Sequence, residues 1–567
     1  MHSFRSFIYK ISTVCLVMVC SALPAFSEPS QKILLASHKK AQCTIILPSN
    51  ASETQVFAVS ELARYLKQIS DADFPVLHLQ NRQARAILIE INPQQGKEAY
   101  SIKIQNQHII LTGGSDPAIL YAVYDFLHRL GCVWAAPGFS LYNGLAEYVP
   151  DRTELFYEST QTVDEHPQLK FRKLDVEEGR SHDEENLKQL IDWMPKLRFN
   201  TLMVPLNYGG WGKVQWDHWR AALTPELKKR GIMIEVGGHG YQNFLNASME
   251  DSSLFKKHPD WFGKDKNCKP TPDEYIVFNT SNPEAVQYLI SHIQQYIRLH
   301  PEIDIFDFWP PDGARWAECP ELLALGSPLD RQASLVNAVD SAIKKINPDI
   351  IREMMAYQPV LLPPEKALNK DILVDFCPIN QSFEKQIFDS AATNNAAYST
   401  ALLAWRRKFQ GDIGIYSYYR KYGWRSLPNI IPHYMQQDLK WYAQTPVQGI
   451  SSYDEPGDWF TYELNYYVLG HLAWDPDSNV DSLINEFCRT RYGSGWETAK
   501  AVYAALENTV RIEGNIPYTS LKPAQQIAEA EKKLAALRNE VSSLQPSDSV
   551  QHEANFSRLL LLLDYAI

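Results

Sequence analysis

The chain has 567 residues, of which 45% are hydrophobic and 12% aromatic, enough to bury several cores and to make two to four domains the expectation. Lys and Arg number 55 against 66 Asp and Glu, and the resulting net charge of −11 argues against nucleic acid or an anionic membrane as partner. Beyond the N-terminal stretch no segment is long and apolar enough to span a membrane, and nothing in the sequence sets the oligomeric state.

Residues 1–27 read as a signal peptide. Arg5 and Lys10 form its basic start, 11–23 its apolar stretch, and Ala25-Phe-Ser27 a small-x-small cleavage site. A secreted or periplasmic protein is the expectation. A lipid anchor on Cys20 is disfavoured by the bulky Val19 before it. Six cysteines follow, at 43, 132, 268, 319, 377 and 488, with no C-x-x-C pair and no zinc spacing. Isolated buried thiols are at least as well supported as any bridge.

From 28 to 155 the pattern is that of a small α+β domain. Strands are expected at 43–48, 86–91, 100–104 and 108–112, with amphipathic helices at 54–70 and 117–130. Residues 151–168, polar and turn-rich, are expected to be a linker. From 165 to 475 short apolar strands alternate with helical segments. The strands start at Phe171, Thr201, Met233, Ile303, Ile351, Ile372, Ile413 and Val447. Eight such units predict an α/β fold with a central (β/α)8 TIM barrel, whose chemistry sits at the carboxyl ends of its strands. Residues 476–567 are expected to be helical.

The strand ends carry residues suited to sugars. Hydrolysis of a glycosidic bond uses one carboxyl group to protonate the leaving oxygen and a second to activate water or attack the anomeric carbon. Asp312 is the leading acid: it follows an apolar strand and two prolines beside Trp309 and Trp316, where burial would keep it protonated. The competing reading is a Pro-Pro-Asp-Gly turn in which Asp312 caps its own backbone. Asp454 and Glu455, after the last strand, are candidates for the second carboxylate, and Glu318 is a third. Glu353 and Asp375 lie inside strands, where a structural role is the better expectation.

His239, on a Gly-Gly-His-Gly turn, and Asn207, Tyr357 and Asn380, at strand ends, are candidate sugar ligands. Trp309, Trp316, Tyr418 and Tyr419 are candidates for stacking on pyranose faces, although core packing competes for each. Arg172, Arg315 and Arg420 would clamp a carboxylate if the sugar is acidic. There is no H-E-x-x-H, Walker loop, G-x-G-x-x-G or G-x-S-x-G, so neither a metal nor a cofactor is expected.

The stretches 58–76 and 114–134 are similar to the N-terminal domain of α-glucuronidases, which itself resembles the small domain in front of the β-hexosaminidase barrel. His258-Pro-Asp-Trp-Phe-Gly263, Thr280-Ser-Asn-Pro-Glu284, Leu464-Asn-Tyr-Tyr467 and Trp474-Asp-Pro476 resemble pieces of a large family of secreted bacterial proteins of unassigned activity. The resemblance covers most of 30–490 and implies a glycosidase barrel.

Asp312-Gly313 occupies the place of the α-glucuronidase general acid, a glutamate before a glycine, with a shorter side chain. Cys377-Pro-Ile-Asn380 departs from the stretch that supplies the base candidate, since asparagine cannot be that base. The segment 316–322 keeps Cys319 where relatives often carry three cysteines, and the Asp-Glu pair of β-hexosaminidases is absent from the fourth strand. The expectation is an exported glycoside hydrolase acting on a polysaccharide or host glycan. The alternative is a non-catalytic glycan-binding protein on the same barrel, which Asn380 favours.

Overall fold

The computed structural model describes residues 31–78, 85–142, 144, 146–176, 182–206, 215–245, 253–510, 523–544 and 549–567. The expected signal segment and Asn207 lie outside them.

Eight parallel strands close a barrel in chain order. They are β1 (Phe171–Asp175), β2 (Thr201–Pro205), β3 (Met233–Gly237), β4 (Ile305–Asp307), β5 (Ile351–Ala356), β6 (Ile372–Phe376), β7 (Ile413–Ser417) and β8 (Gly449–Tyr453). The (β/α)8 expectation holds, and the ring is completed by β8 pairing with β1, Phe171 opposite Gly449 through Asp175 opposite Tyr453. Every strand residue is buried except the first of β3 and of β5, which are half-buried. Both faces of a barrel strand are covered, the axis on one side and helices on the other, which is why the sequence shows continuous apolar runs.

In front of the barrel lie a six-stranded mixed sheet and a three-stranded antiparallel one. Helices Glu53–Ser70 and Asp116–Arg129 pack on each other, and the second also packs on the six-stranded sheet. Ser52 caps the first helix, accepting from Gln55 N at 3.2 Å. Residues 151–168 are not the linker expected. Glu154–Ser159 pairs antiparallel with Gln31–Ser37, and Val163–Glu165 pairs with Tyr100–Ile102. The reason is a short alternation inside the polar stretch: Leu155 and Tyr157 point into the core while Glu154 and Glu158 stay out.

Arg172, at the amino end of β1, joins the two parts. Its guanidinium is fully buried and holds Glu98 of the N-terminal domain through Nη1 and Nη2, each at 3.0 Å. Behind the barrel, helices Val480–Tyr492, Trp496–Thr509, Ala524–Ser543 and Val550–Ala566 pack in sequence. No helix among the described residues is long and apolar enough to cross a membrane.

Cys268 and Cys319 form a disulfide, whereas Cys43, Cys132, Cys377 and Cys488 are buried thiols. The bridge ties the excursion after β3 to the one after β4. Backbone bonds from Val277 N to Arg315 O (2.9 Å) and from Arg315 N to Tyr275 O (2.7 Å) run alongside it.

Candidate active site

Alternation along the strands stacks the barrel interior in layers. At the amino end Phe171, Ile305 and Leu373 form an apolar plug with Met233 and Ile351. Two residues further along the same strands stand Lys173, Glu235, Asp307, Glu353 and Asp375. Lys173 Nζ lies 2.9 Å from Glu235 Oε2 and 3.3 Å from Asp375 Oδ2, and bonds Glu353 Oε2 as well. A lone ammonium cannot balance four buried carboxylates. Burial and neighbouring acids push Asp307 and Glu353 well above the usual carboxylate range, and burial lifts Glu235 to about 7. Glu235, Asp307 and Glu353 bring ligand oxygens within 4.8 Å of one another, but the ammonium of Lys173 already supplies a cation to two of them.

The next layer is the floor of the barrel mouth. Asp175 ends β1, and the Tyr416 hydroxyl on β7 donates to its Oδ2. The Tyr416 ring meets Trp309 edge-on at 5.7 Å, Tyr418 at 5.7 Å and Tyr453 at 5.1 Å. Gly237 passes here against Asp307 with φ of +154°, and a Cβ would stand 2.5 Å from the Asp307 backbone oxygen, so glycine alone fits. The chain turns after it and places His239 over Trp309 at 5.4 Å and beside Tyr357 at 5.9 Å. His239 Nδ1–H donates to Pro310 O at 2.8 Å, which fixes the tautomer. Burial lowers the imidazole pKa, and the nearby Asp312 carboxylate opposes that shift. Burial raises the Tyr357 phenol, helped by Asp312, to which Tyr357 is hydrogen-bonded.

Five of the expected residues therefore converge at the carboxyl end of the barrel: Asp312, His239, Trp309, Tyr357 and Tyr418. Asp312 itself is exposed on the Pro-Asp-Gly turn, so the burial expected to keep it protonated is missing. The proline pair ends the strand and the turn lifts Asp312 to the rim.

The other candidates stand elsewhere. Asp454 turns off the axis to His182, whose Nε2 is 2.9 Å from Asp454 Oδ1 with both side chains fully buried. Burial raises the Asp454 carboxyl and His182 opposes it. Glu455 caps the turn after β8, accepting from Gly457 N at 2.9 Å. Glu318 is exposed on the loop beyond Asp312, and Arg315 is spent on Asp273 at 2.5 Å. Asn380 is bound to Tyr398 both through its backbone N–H, 3.0 Å from Oη, and through its side chain, and its carbonyl accepts from Asn394 at 2.9 Å.

Tyr419 is core: fully buried, it packs edge-on against Phe383 at 6.4 Å. Arg420 is buried on Asp458 at 3.0 Å, and Arg172 lies at the opposite end of the barrel, so neither is the clamp expected. Asp175, Tyr416, Tyr453 and His182 were not singled out from the sequence. The signal for Asp175 was present: beside Arg172 the strand carries Lys173 and Asp175, two charges spaced two apart and so on one face.

The same overall fold occurs in known glycoside hydrolases. A family GH115 4-O-methyl-α-glucuronidase with specificity for decorated arabinogalactans superposes with a TM-score of 0.62 at 13% identity, over 93% of this chain and 71% of its own. A GH138 enzyme targeting pectin rhamnogalacturonan II gives 0.60 at 12% identity, over 93% and 69%. A β-N-acetylhexosaminidase from Bacteroides fragilis NCTC 9343 gives 0.49 at 12% identity, over 80% and 90%. At these identities the first two likenesses are of fold alone. No curated protein matches the sequence. The sequence pattern of a domain of unknown function, DUF4838, matches residues 141–504, well over half of the chain, and the protein belongs to that family.

Proposed function

We propose that the protein is an exported glycoside hydrolase that cleaves glycosidic bonds of a polysaccharide or host glycan at the carboxyl end of its barrel. The observation that carries this reading is the convergence there of Asp312 with His239, Trp309, Tyr357 and Tyr418. A carboxyl group at the rim, an imidazole and a phenol beside it, and aromatic walls below are the equipment for orienting a pyranose and protonating its leaving oxygen. Asp312 is the proton donor in this reading, half-buried His239 and Tyr357 beside it meet the sugar, and the buried rings of Trp309 and Tyr418 back them. The glycosidase fold supports the class of reaction, and the Cys268–Cys319 bridge supports an oxidising compartment.

The test is mass-spectrometric detection of sugar released from glucuronoxylan oligosaccharides and amino-sugar glycans, by the parent and by Asp312→Asn. Release by the parent and its loss in the variant is the expected result. The exposure of Asp312 favours a second reading, a glycan-binding protein without turnover. Binding without release, unchanged in the variant, would establish that one instead.

A further inference from the structure

Glycoside hydrolysis calls for a second carboxylate besides Asp312. Asp454 is turned to His182 and Glu455 caps a turn, while Glu235, Glu353 and Asp375 lie one layer lower around Lys173. Asp175 is placed differently. It is the last residue of β1, its side chain is fully buried on the floor of the mouth, and its Oδ2 accepts from Tyr416 Oη. Its own carbonyl takes the N–H of Asp454 at 2.9 Å, which pins the strand end against β8. The Tyr416 ring is wedged among Trp309, Tyr418 and Tyr453, so the phenol that holds Asp175 is itself held on three sides. Catalytic groups of such barrels stand on the ends of different strands. A phenol donating to a carboxylate stabilises its charged form, which is the form that attacks.

Resting on the glycosidase reading, we propose that Asp175 is the nucleophile of the site and Tyr416 its positioning residue. A carboxylate oxygen of Asp175 bonds to the anomeric carbon as the bond from that carbon to the leaving oxygen breaks, and the proton of Asp312 passes to that oxygen. Water then gives a proton back to Asp312 and its oxygen to the anomeric carbon, releasing Asp175. The sum is glycoside and water giving sugar and alcohol, with configuration retained. Attack by Asp175 itself, rather than by a water it activates, is the step that retains configuration.

The experiment uses the full mature chain and whichever panel glycan the parent cleaves. Asp175→Asn should lose turnover by on the order of a thousandfold or more, because the side chain keeps its shape but not its charge. Asp175→Ala with azide should yield the glycosyl azide, because the small anion enters the space left and attacks the same carbon. Tyr416→Phe should keep the melting temperature and lose about ten- to a hundredfold in kcat with KM unchanged.

Full turnover by Asp175→Asn while the parent releases sugar would overturn the proposal and leave the glycosidase reading standing. Inverted product configuration, or no azide adduct from an otherwise folded Asp175→Ala, would overturn the nucleophilic role. A parent that releases nothing from any glycan would sink both.

Discussion

Removing Glu98 tests whether Arg172 is a structural joint. The guanidinium is fully buried at the amino end of β1 and makes two 3.0 Å bonds to the Glu98 carboxylate, whose own side chain is 15% exposed. Glu98→Ala strands a buried cation, a change that costs about 3–5 kcal/mol. Two carbonyl acceptors remain, Leu169 O and Arg198 O, each at 2.6 Å, which places the expected loss near the lower end, about 3 kcal/mol. Asn200 also loses an acceptor but keeps Lys170 O at 2.8 Å. Arg172→Met should cost less than Glu98→Ala, because the carboxylate left behind is partly solvated. The double variant should then lie well short of the sum, a coupling measured by urea unfolding followed through tryptophan fluorescence. KM for any cleaved glycan should not change, because the pair lies at the end of the barrel opposite the mouth. A loss under about 1 kcal/mol, or a raised KM in Arg172→Met at unchanged stability, would refute the structural reading and restore the substrate clamp.

Asp438 is fully buried, takes bonds from Gln381 Nε2 at 2.9 Å and Ile387 N at 3.0 Å, and is pushed up to about 8 by burial. The fold binds its proton more tightly than the unfolded chain does, so its contribution to stability is complete below pH 4 and drains away as pH rises toward 8. Unfolding free energies should fall by up to about 1.4 kcal/mol per pH unit across that window, and Asp438→Asn should flatten the slope. Gly414→Ala would put a Cβ 2.1 Å from Asp375 Oδ1, on a carboxylate whose Oδ2 is bonded to Lys173 Nζ at 3.3 Å. A loss of about 1–3 kcal/mol in urea titration is expected, and parental stability would show that the charged layer has slack. Cys268→Ser with Cys319→Ser opens a loop closed across 51 residues and should cost about 2–4 kcal/mol, read as the difference between variant and parent melts. Equal melts would mean that the backbone bonds alone hold the two excursions.

The barrel was legible because its signal is local. Each strand is a buried run of three to six residues bounded by turn residues, and the expected starts fall within two residues of those found. The strand Glu154–Ser159 was hidden because two inward residues among glutamates make a weak alternation that only pairing with Gln31–Ser37 completes. Arg172 was misplaced for a geometric reason: a strand has a chemical end and a structural end, and an arginine one residue from the start of β1 lies at the wrong one. Asp312 was put in the right quarter of the molecule, but its burial depends on how the turn leaves the sheet, which Pro-Pro-Asp-Gly does not specify. The pairing of Asp175 with Tyr416 spans 241 residues and rests on barrel closure, so no local pattern announces it.

The apolar plug beneath Lys173 closes the barrel at its base. Along the axis the Asp175–Tyr416 layer, the Lys173 cluster and the plug follow one another, so the barrel is filled from mouth to base. In the glycosidase reading a glycan therefore lies over the mouth and is not threaded along the barrel axis. In that reading the released fragment leaves by the face at which the glycan arrived.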